Sequence, residues 1–248
     1  VHLIDVVSAL TLSLNYIALY VHRMPVLEHV WSLCIEEWAY ILLGLLALVS
    51  RRLRLPALPI IAAASLLCVA NALYQNASGL DYYMVYWRTD TRIASILMSC
   101  AVYLAVQRYK AAIPGWLPIL AGCVGVLLSF DYFPDGLRYS LGTLCFSFAV
   151  ATIDQAPAWL RQALSLVPVR QIGLWSFSLY LWQQPFYKLM PYAPRSAMVV
   201  AAIGCGLISF YFIEQPLRRF LNNRWHEPRI SRHVADADIG TPKRQQVM

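Results

Sequence analysis

The sequence has 248 residues, of which 59% are hydrophobic and 13% are charged, and its mean hydropathy is +0.54. Ordinary soluble domains contain fewer apolar and more charged residues, so this composition excludes a typical water-soluble globular protein. The net charge of +7 is explained by membrane topology with some attraction to anionic lipid, and it gives no indication of nucleic-acid binding.

The apolar runs predict an all-α fold, a polytopic transmembrane bundle of about eight spans. Helices are expected rather than barrel strands because the runs are long and apolar on every side. In chain order the predicted spans cover residues 5–21, 30–50, 57–75, 91–108, 114–130, 137–153, 171–190 and 197–217. The transmembrane domain is predicted to comprise residues 1–221, followed by a flexible polar cytoplasmic tail at 222–248.

Lys and Arg residues are divided unequally between the loops on alternate sides of the predicted bundle. Of the 20, all but six lie on the side that carries both chain ends. The exceptions are Arg23, Arg88, Arg92, Arg138, Lys188 and Arg195. Because loops rich in Lys and Arg stay in the cytoplasm, both termini are predicted to be cytoplasmic. The loops predicted to face outward are 22–29, 76–90, 131–136 and 191–196.

Several common site motifs are missing from the sequence. The six cysteines have no CxxC or Cys/His spacing and lie within predicted helices, where they are expected to act as small apolar fillers. There is no phosphate-binding glycine loop, HExxH pair or nucleophile elbow. These observations argue against nucleotide, zinc and serine-hydrolase chemistry, and no metal is implied.

Two carboxylates, Glu36 and Glu37, open the predicted second span. Ser32, Glu36 and Tyr40 recur at four-residue spacing and share one helical face, whereas Glu37 points about 100° away. One interpretation is a helix N-terminus whose acidic residues satisfy the helix dipole, with Trp31 as an interface anchor. The other is a polar stripe that faces substrate, and it is favoured because two adjacent carboxylates exceed what capping needs.

A second polar cluster, residues 88–92, enters the predicted fourth span. Arg88 and Arg92 are four residues apart on one face, with Asp90 between them. Arginine at an outer helix start opposes both the helix dipole and the positive-inside trend. This pattern indicates either a bound anion or an internal carboxylate partner, and the alternative is a solvated ion-pair turn.

A third cluster lies in the predicted seventh span. Ser176, Tyr180 and Gln184 share one helical face, and Pro185 is expected to kink the helix. These side chains could serve only as interhelical hydrogen-bonding groups, or they could line a path for substrate.

A fourth cluster ends the last predicted span. Glu214 and Arg218 are four residues apart in the order that favours a helical ion pair, although Pro216 between them disturbs the regular helix. The alternative to a functional role is a structural salt bridge at the lipid boundary.

Together these four clusters resemble the motifs of the acyltransferase-3 family of integral membrane O-acyltransferases. Their order and spacing agree with that family across nearly the whole chain. Residues 31–40 resemble its WSLxxEExxY signature, with His29 also common there, Thr91-Arg92 its TR segment, residues 176–185 its SYSLYLWHxP stretch, and residues 213–218 its IExPxR ending.

The sequence also departs from the family pattern. Cys34, Trp38 and Ala39 replace the usual Ser, Gln and Phe, Ala94 stands at a frequent Asp position, and Gln183 stands at a frequent His position. The family normally has about ten spans, and the first carries an Arg and a presumed catalytic His. Nothing before Val6 supplies these, so the chain is expected to be N-terminally incomplete or a natural short form.

The resemblance implies transfer of an acyl group, commonly acetyl from acetyl-CoA, to a hydroxyl of a surface glycan or lipid-linked sugar. The expected location is the bacterial inner membrane, with acyl-CoA as a substrate and no bound cofactor. The residues implied to be catalytic are Glu36, Glu37 and His29. Those implied to bind substrate are Ser32, Tyr40, Arg88, Arg92, Ser176, Tyr180, Gln183, Glu214 and Arg218.

A non-catalytic membrane protein is the alternative, either a truncated pseudoenzyme or a transporter-like conduit. Polar stripes inside spans would serve a conduit equally well. The 248-residue chain itself is expected to insert into membranes without measurable acyl transfer, because a missing general base costs about 10²–10⁴-fold in rate. The DNA sequence upstream of the Val1 codon distinguishes these cases. A continuous reading frame that encodes two more spans would indicate a shortened gene model of an enzyme, and an in-frame stop codon close to Val1 would favour the pseudoenzyme.

Overall fold

The computed structural model describes residues 3–21, 28–109 and 112–223. These residues form helices joined by short turns, with no strand in the described ranges, which confirms the all-α class there. The chain separates into two compact units, Val1–Gln171 and Ile172–Met248. The predicted tail lies outside the described residues from position 224 onward.

The α-helices of the described chain are numbered in order. They are α1 Leu3–Leu10, α2 Leu14–Tyr20, α3 Trp31–Leu53, α4 Ala57–Ala77, α5 Tyr82–Tyr86, α6 Thr89–Arg92, α7 Ala94–Tyr109, α8 Trp116–Leu128, α9 Asp135–Leu137, α10 Thr143–Ala151, α11 Ala158–Ser165, α12 Val167–Leu189 and α13 Arg195–Ser209. Short 3₁₀ turns cover Glu28–Val30 and Ile153–Gln155, and π-helical segments cover Arg138–Gly142 and Phe210–Glu214.

Four helical segments of the described chain are long and apolar enough to cross a membrane. They are Trp31–Leu53, Ala57–Ala77, Thr89–Tyr109 and Arg195–Asn223. The shorter helix α8 is also apolar. These segments support an integral membrane protein, and the count of about eight spans stays a prediction.

The core of the first unit lies where α3, α4 and α7 meet. It contains Ile35 and Ala39 from α3, Ile61 from α4, and Leu97 and Ala101 from α7. The residues from α3 and α7 repeat every four positions, so each helix turns one apolar stripe toward its neighbours. Helix α7 also packs against α10, and α10 packs against α8.

Hydroxyl groups join these helices. Ser65 in α4 donates to the carbonyl of Ala94, with 3.0 Å between the two atoms. The hydroxyls of Ser99 in α7 and Ser147 in α10 lie 2.7 Å apart. Small polar residues commonly hold spanning helices together in this way, because a hydroxyl in an apolar setting needs a partner.

The first predicted span is interrupted, and the expectation of one continuous helix over residues 5–21 was wrong. Leu12 adopts a left-handed backbone conformation with φ of 57° between α1 and α2. The Thr11 hydroxyl and the Thr11 backbone N–H both donate to the carbonyl of Val7, and a hydroxyl bond of this kind slightly destabilises and bends a helix. Asn15 in α2 is fully buried and donates to the Trp87 carbonyl at 2.9 Å and to the Thr89 hydroxyl at 3.0 Å.

The predicted span at 137–153 is helical but irregular. It begins with the single turn of α9 and the π-helical segment Arg138–Gly142, and it becomes a regular α-helix only in α10. This irregular start places the Tyr139 ring beside that of Tyr86 at the end of α5, with 5.1 Å between the ring centres.

The second unit is built from most of α12 and from α13 with its extension. Gly206 of α13 lies against Leu179 of α12, so closely that an added Cβ would stand 2.8 Å from a Leu179 side-chain atom. Helix α12 continues through Pro185. The kink predicted at Pro185 stays a prediction.

Candidate functional site

Glu36 and Glu37 lie in the second turn of α3. The helix begins at Trp31 and has no acidic residue in its first turn, which argues against the helix-capping interpretation. Glu36 and Tyr40 are exposed, whereas Glu37 is half-buried. Neither carboxylate has a hydrogen bond or ion pair with another described residue.

His29 and Ser32 precede these carboxylates. His29 lies in the 3₁₀ turn before α3, and the Ser32 hydroxyl is 3.5 Å from the His29 carbonyl oxygen, at the limit of a hydrogen bond. The contact involves the backbone of His29 and not its imidazole. His29 therefore lies in the turn before α3, and Ser32 and Glu36 lie in the first two turns of that helix.

The arginines of the second cluster have different surroundings. Arg88 is the N-cap of α6, and its guanidinium donates to both carboxylate oxygens of Asp90, at 2.9 and 2.7 Å. Asn71 donates to the same carboxylate, and Arg88 also donates to the Tyr20 hydroxyl. The hydrogen bonds to Asp90 raise the pKa of Arg88 above its usual value. The ion-pair interpretation therefore applies to Arg88.

Arg92 is separated from that pair and lies between two aromatic rings. Its guanidinium carbon is 4.5 Å from the ring centre of Tyr86 and 4.2 Å from that of Tyr139. The Tyr139 hydroxyl is 2.7 Å from the Tyr82 hydroxyl, and the Tyr82 and Tyr86 rings are stacked. Burial and the hydrogen bond with Tyr139 raise the pKa of Tyr82, so its hydroxyl stays protonated at neutral pH.

These side chains border a cavity of about 70 Å³, which we call the tyrosine–arginine cavity. Its lining comes from α4, α5, α6, the start of α7, α9 and the π-helical segment that follows α9. The lining residues are Val69, Ala72, Leu73, Asn76, Tyr82, Val85, Tyr86, Thr91, Arg92, Ala94, Ser95, Asp135, Gly136, Tyr139 and Ser140. The sequence indicated Arg92 but not its tyrosine partners, because Tyr139 lies far along the chain.

In the second unit, Glu214 joins two helices. It accepts a hydrogen bond from the buried Ser178 hydroxyl at 2.6 Å, and it pairs with Arg218 at 2.6 Å. The helical ion pair predicted from the spacing of Glu214 and Arg218 is therefore present. Glu214 ends the π-helical segment, which lies just before Pro216, where a backbone N–H is missing.

The third cluster contributes a different serine from the one indicated by the sequence. Ser176 is exposed and donates to the Gly173 carbonyl of its own helix, at 2.8 Å. Ser178, two positions later and on another face, is the residue that reaches Glu214. Tyr180 is half-buried, and Gln183 borders a separate cavity of about 470 Å³ in the second unit. The roles assigned to these residues stay predictions.

The described residues contain no group of His, Cys, Asp and Glu that could hold a metal ion. The tyrosine–arginine cavity offers hydrogen-bond donors, and the start of α3 offers carboxylates. These are groups that acyl transfer requires, for the oxyanion and for the hydroxyl proton respectively.

Sequence comparison finds relatives among bacterial O-acetyltransferases. The chain is 29% identical over 226 residues to the peptidoglycan O-acetyltransferase OatA of Listeria monocytogenes, covering 79% of this chain and 36% of that protein. It is 27% identical over 218 residues to the O-acetyltransferase OatA of Staphylococcus aureus, covering 78% and 36%. The chain thus spans about a third of the length of these relatives.

No protein-family model and no solved structure matches the chain. The relatives support the predicted O-acyltransferase family. The finer assignment to acyltransferase-3 remains a prediction.

Proposed function

We propose that this chain belongs to a membrane-embedded O-acetyltransferase of the acyltransferase-3 type, which transfers an acetyl group from acetyl-CoA to a hydroxyl of a cell-wall glycan. The observation that carries this proposal is the similarity to a peptidoglycan O-acetyltransferase over 79% of the chain. The long apolar helices support a membrane-embedded protein.

The proposal includes about eight spans in the bacterial inner membrane, with both termini in the cytoplasm. The orientation is supported by the excess of Lys and Arg in the loops on the side of the termini.

The proposed reaction is attack of a glycan hydroxyl oxygen on the thioester carbonyl carbon. A new C–O bond forms, the C–S bond breaks, the hydroxyl proton passes to a base, and CoA leaves as the thiolate. Glu36 is the carboxylate we place nearest this chemistry, with Glu37 and His29 in support. Its exposure and its lack of a partner among the described residues support this assignment, because a carboxylate engaged in an ion pair would be a weaker base.

Deletion of the gene in the organism that encodes it tests the proposal. Acetate esters on purified cell-wall glycan are released by mild alkali and quantified. We expect the amount to fall in the deletion strain and to return when the native gene is restored. An unchanged amount, in a strain that makes no other enzyme of this kind, would contradict the proposal.

A further inference from the structure

Arg92 is a cation without a carboxylate partner among the described residues. Its guanidinium carries five N–H donors, and none of them has an acceptor within the described ranges. The rings of Tyr86 and Tyr139 stabilise its charge by cation–π attraction, but aromatic faces do not satisfy N–H groups in the ring plane. These donors are available to a ligand in the tyrosine–arginine cavity.

Most other polar side chains of the cavity wall are already engaged. The hydroxyl of Thr91 donates to the Val85 carbonyl, that of Ser95 to the Arg92 carbonyl, and that of Ser140 to the Gly136 carbonyl. Asp135 pairs with Arg138. Arg92 is the cation of this wall that has no carboxylate partner among the described residues, so a ligand that presents acceptor oxygens would complement it.

The apolar lining of the cavity restricts that ligand further. Most of its lining is apolar, from side chains such as Val69, Ala72, Leu73 and Ala94. The polar groups of the wall include the Arg92 guanidinium, which lies beside this apolar surface. A complementary ligand group has an apolar end for this wall and an acceptor oxygen for Arg92.

We propose that the tyrosine–arginine cavity is an acetyl-binding subsite. The methyl group contacts the apolar wall, and the Arg92 guanidinium donates to the acetyl carbonyl oxygen. This inference rests on the proposed function, because it identifies a binding site for an acetyl group of one of the substrates. The acetyl group can come from two sources, the acetyl donor or the acetamido groups of an N-acetylated glycan.

Saturation-transfer difference NMR on the purified chain in detergent tests this subsite, because it detects the acetyl methyl protons directly. Acetyl-CoA is compared with CoA, and an N-acetylglucosamine tetramer with the glucosamine tetramer. We expect methyl saturation and tighter binding for the acetylated member of at least one pair. The pair that shows this difference identifies the source of the acetyl group.

Three variants separate the subsite from general effects on the protein. Arg92→Gln removes the charge and most donors, and Ala72→Leu fills the apolar wall while keeping the charge. Each should weaken binding of the acetylated ligand at least about tenfold, since a hydrogen bond to a charged group is lost or the space is filled. Arg108→Gln removes an exposed arginine at the far end of α7 and should leave binding unchanged.

Absence of a methyl signal from both acetylated ligands, with a folded protein by circular dichroism, would overturn the subsite. So would equal affinities in the Arg92→Gln, Ala72→Leu and Arg108→Gln variants. Loss of glycan acetylation on gene deletion together with either result would retain the proposed function and reject only this inference.

Discussion

Glu36 and Glu37 are neighbours in sequence whose side chains have different surroundings. Glu36 is exposed on the side of α3 that also carries Tyr40, whereas Glu37 is half-buried. Both residues lie beyond the first turn of the helix. A charge in a predicted span is costly, so two uncompensated carboxylates in α3 point to use in chemistry rather than to helix stability.

Glu36→Gln in the native gene should therefore lower glycan O-acetylation by orders of magnitude at an unchanged membrane level of the protein. The substitution keeps the shape of the side chain and removes the charge that accepts a proton. Glu37→Gln is the matched comparison and should cause a smaller loss. Equal and mild losses from both, measured as alkali-released acetate, would remove Glu36 from the site.

Ser178 and Ser176 form a second matched pair. Ser178→Ala removes a buried hydrogen bond to the Glu214 carboxylate and should lower the free energy of unfolding by roughly 1–3 kcal/mol. Ser176→Ala removes an exposed hydroxyl bonded within its own helix and should cost about 0.5 kcal/mol or less. Reversible denaturation in mild detergent measures both. The reverse order would show that Ser178 does not join the helices.

At the scale of helices, α12 and α13 approach closely because Gly206 has no side chain. Gly206→Ala should destabilise the protein by roughly 1–3 kcal/mol, since the new Cβ would overlap Leu179. Gly204, two residues earlier in the same helix, has nothing within 4 Å of an added Cβ. Gly204→Ala should be neutral or stabilising by up to about 1 kcal/mol. Similar losses in thermal stability for both variants would contradict this packing.

The helices were largely predictable from hydropathy, whereas their irregularities were not. The apolar runs predicted α3, α4 and the segment Thr89–Tyr109 to within a few residues. Hydropathy does not indicate the break at Leu12, where the structure shows local hydroxyl bonds and, just beyond, the buried Asn15 bonded to Trp87. Hydropathy likewise does not indicate the π-helical segment at the start of the predicted span at 137–153.

The candidate site was predictable only where its partners are close in sequence. Helical spacing predicted the Glu214–Arg218 pair, which the structure contains. It also placed Arg88 and Arg92 together, but Arg88 bonds to Asp90 and only Arg92 lines the cavity. Tyr139 and Ser178 were missed because their contacts join helices, and spacing within one helix does not report the packing of another.

At the scale of the whole molecule, the unequal division of Lys and Arg between the loops on the two sides predicts the topology. In a variant without native cysteines, Ser78→Cys should react with a membrane-impermeant thiol reagent in intact cells, because loop 76–90 is predicted to face outward. Ser231→Cys, in the predicted cytoplasmic tail outside the described residues, should react only after permeabilisation. Labelling of both in intact cells would contradict the orientation.

The central claim concerns the fate of an acetyl group, and transfer of that group is the most direct measurement. Membranes from cells that express the native gene, and from the deletion strain, are incubated with acetyl-CoA labelled in the acetyl group and with cell-wall glycan. We expect alkali-labile label on the glycan only when the protein is present, and loss of that label with Glu36→Gln. Equal labelling of the glycan by both membrane preparations would contradict the assignment of this chain as an O-acetyltransferase.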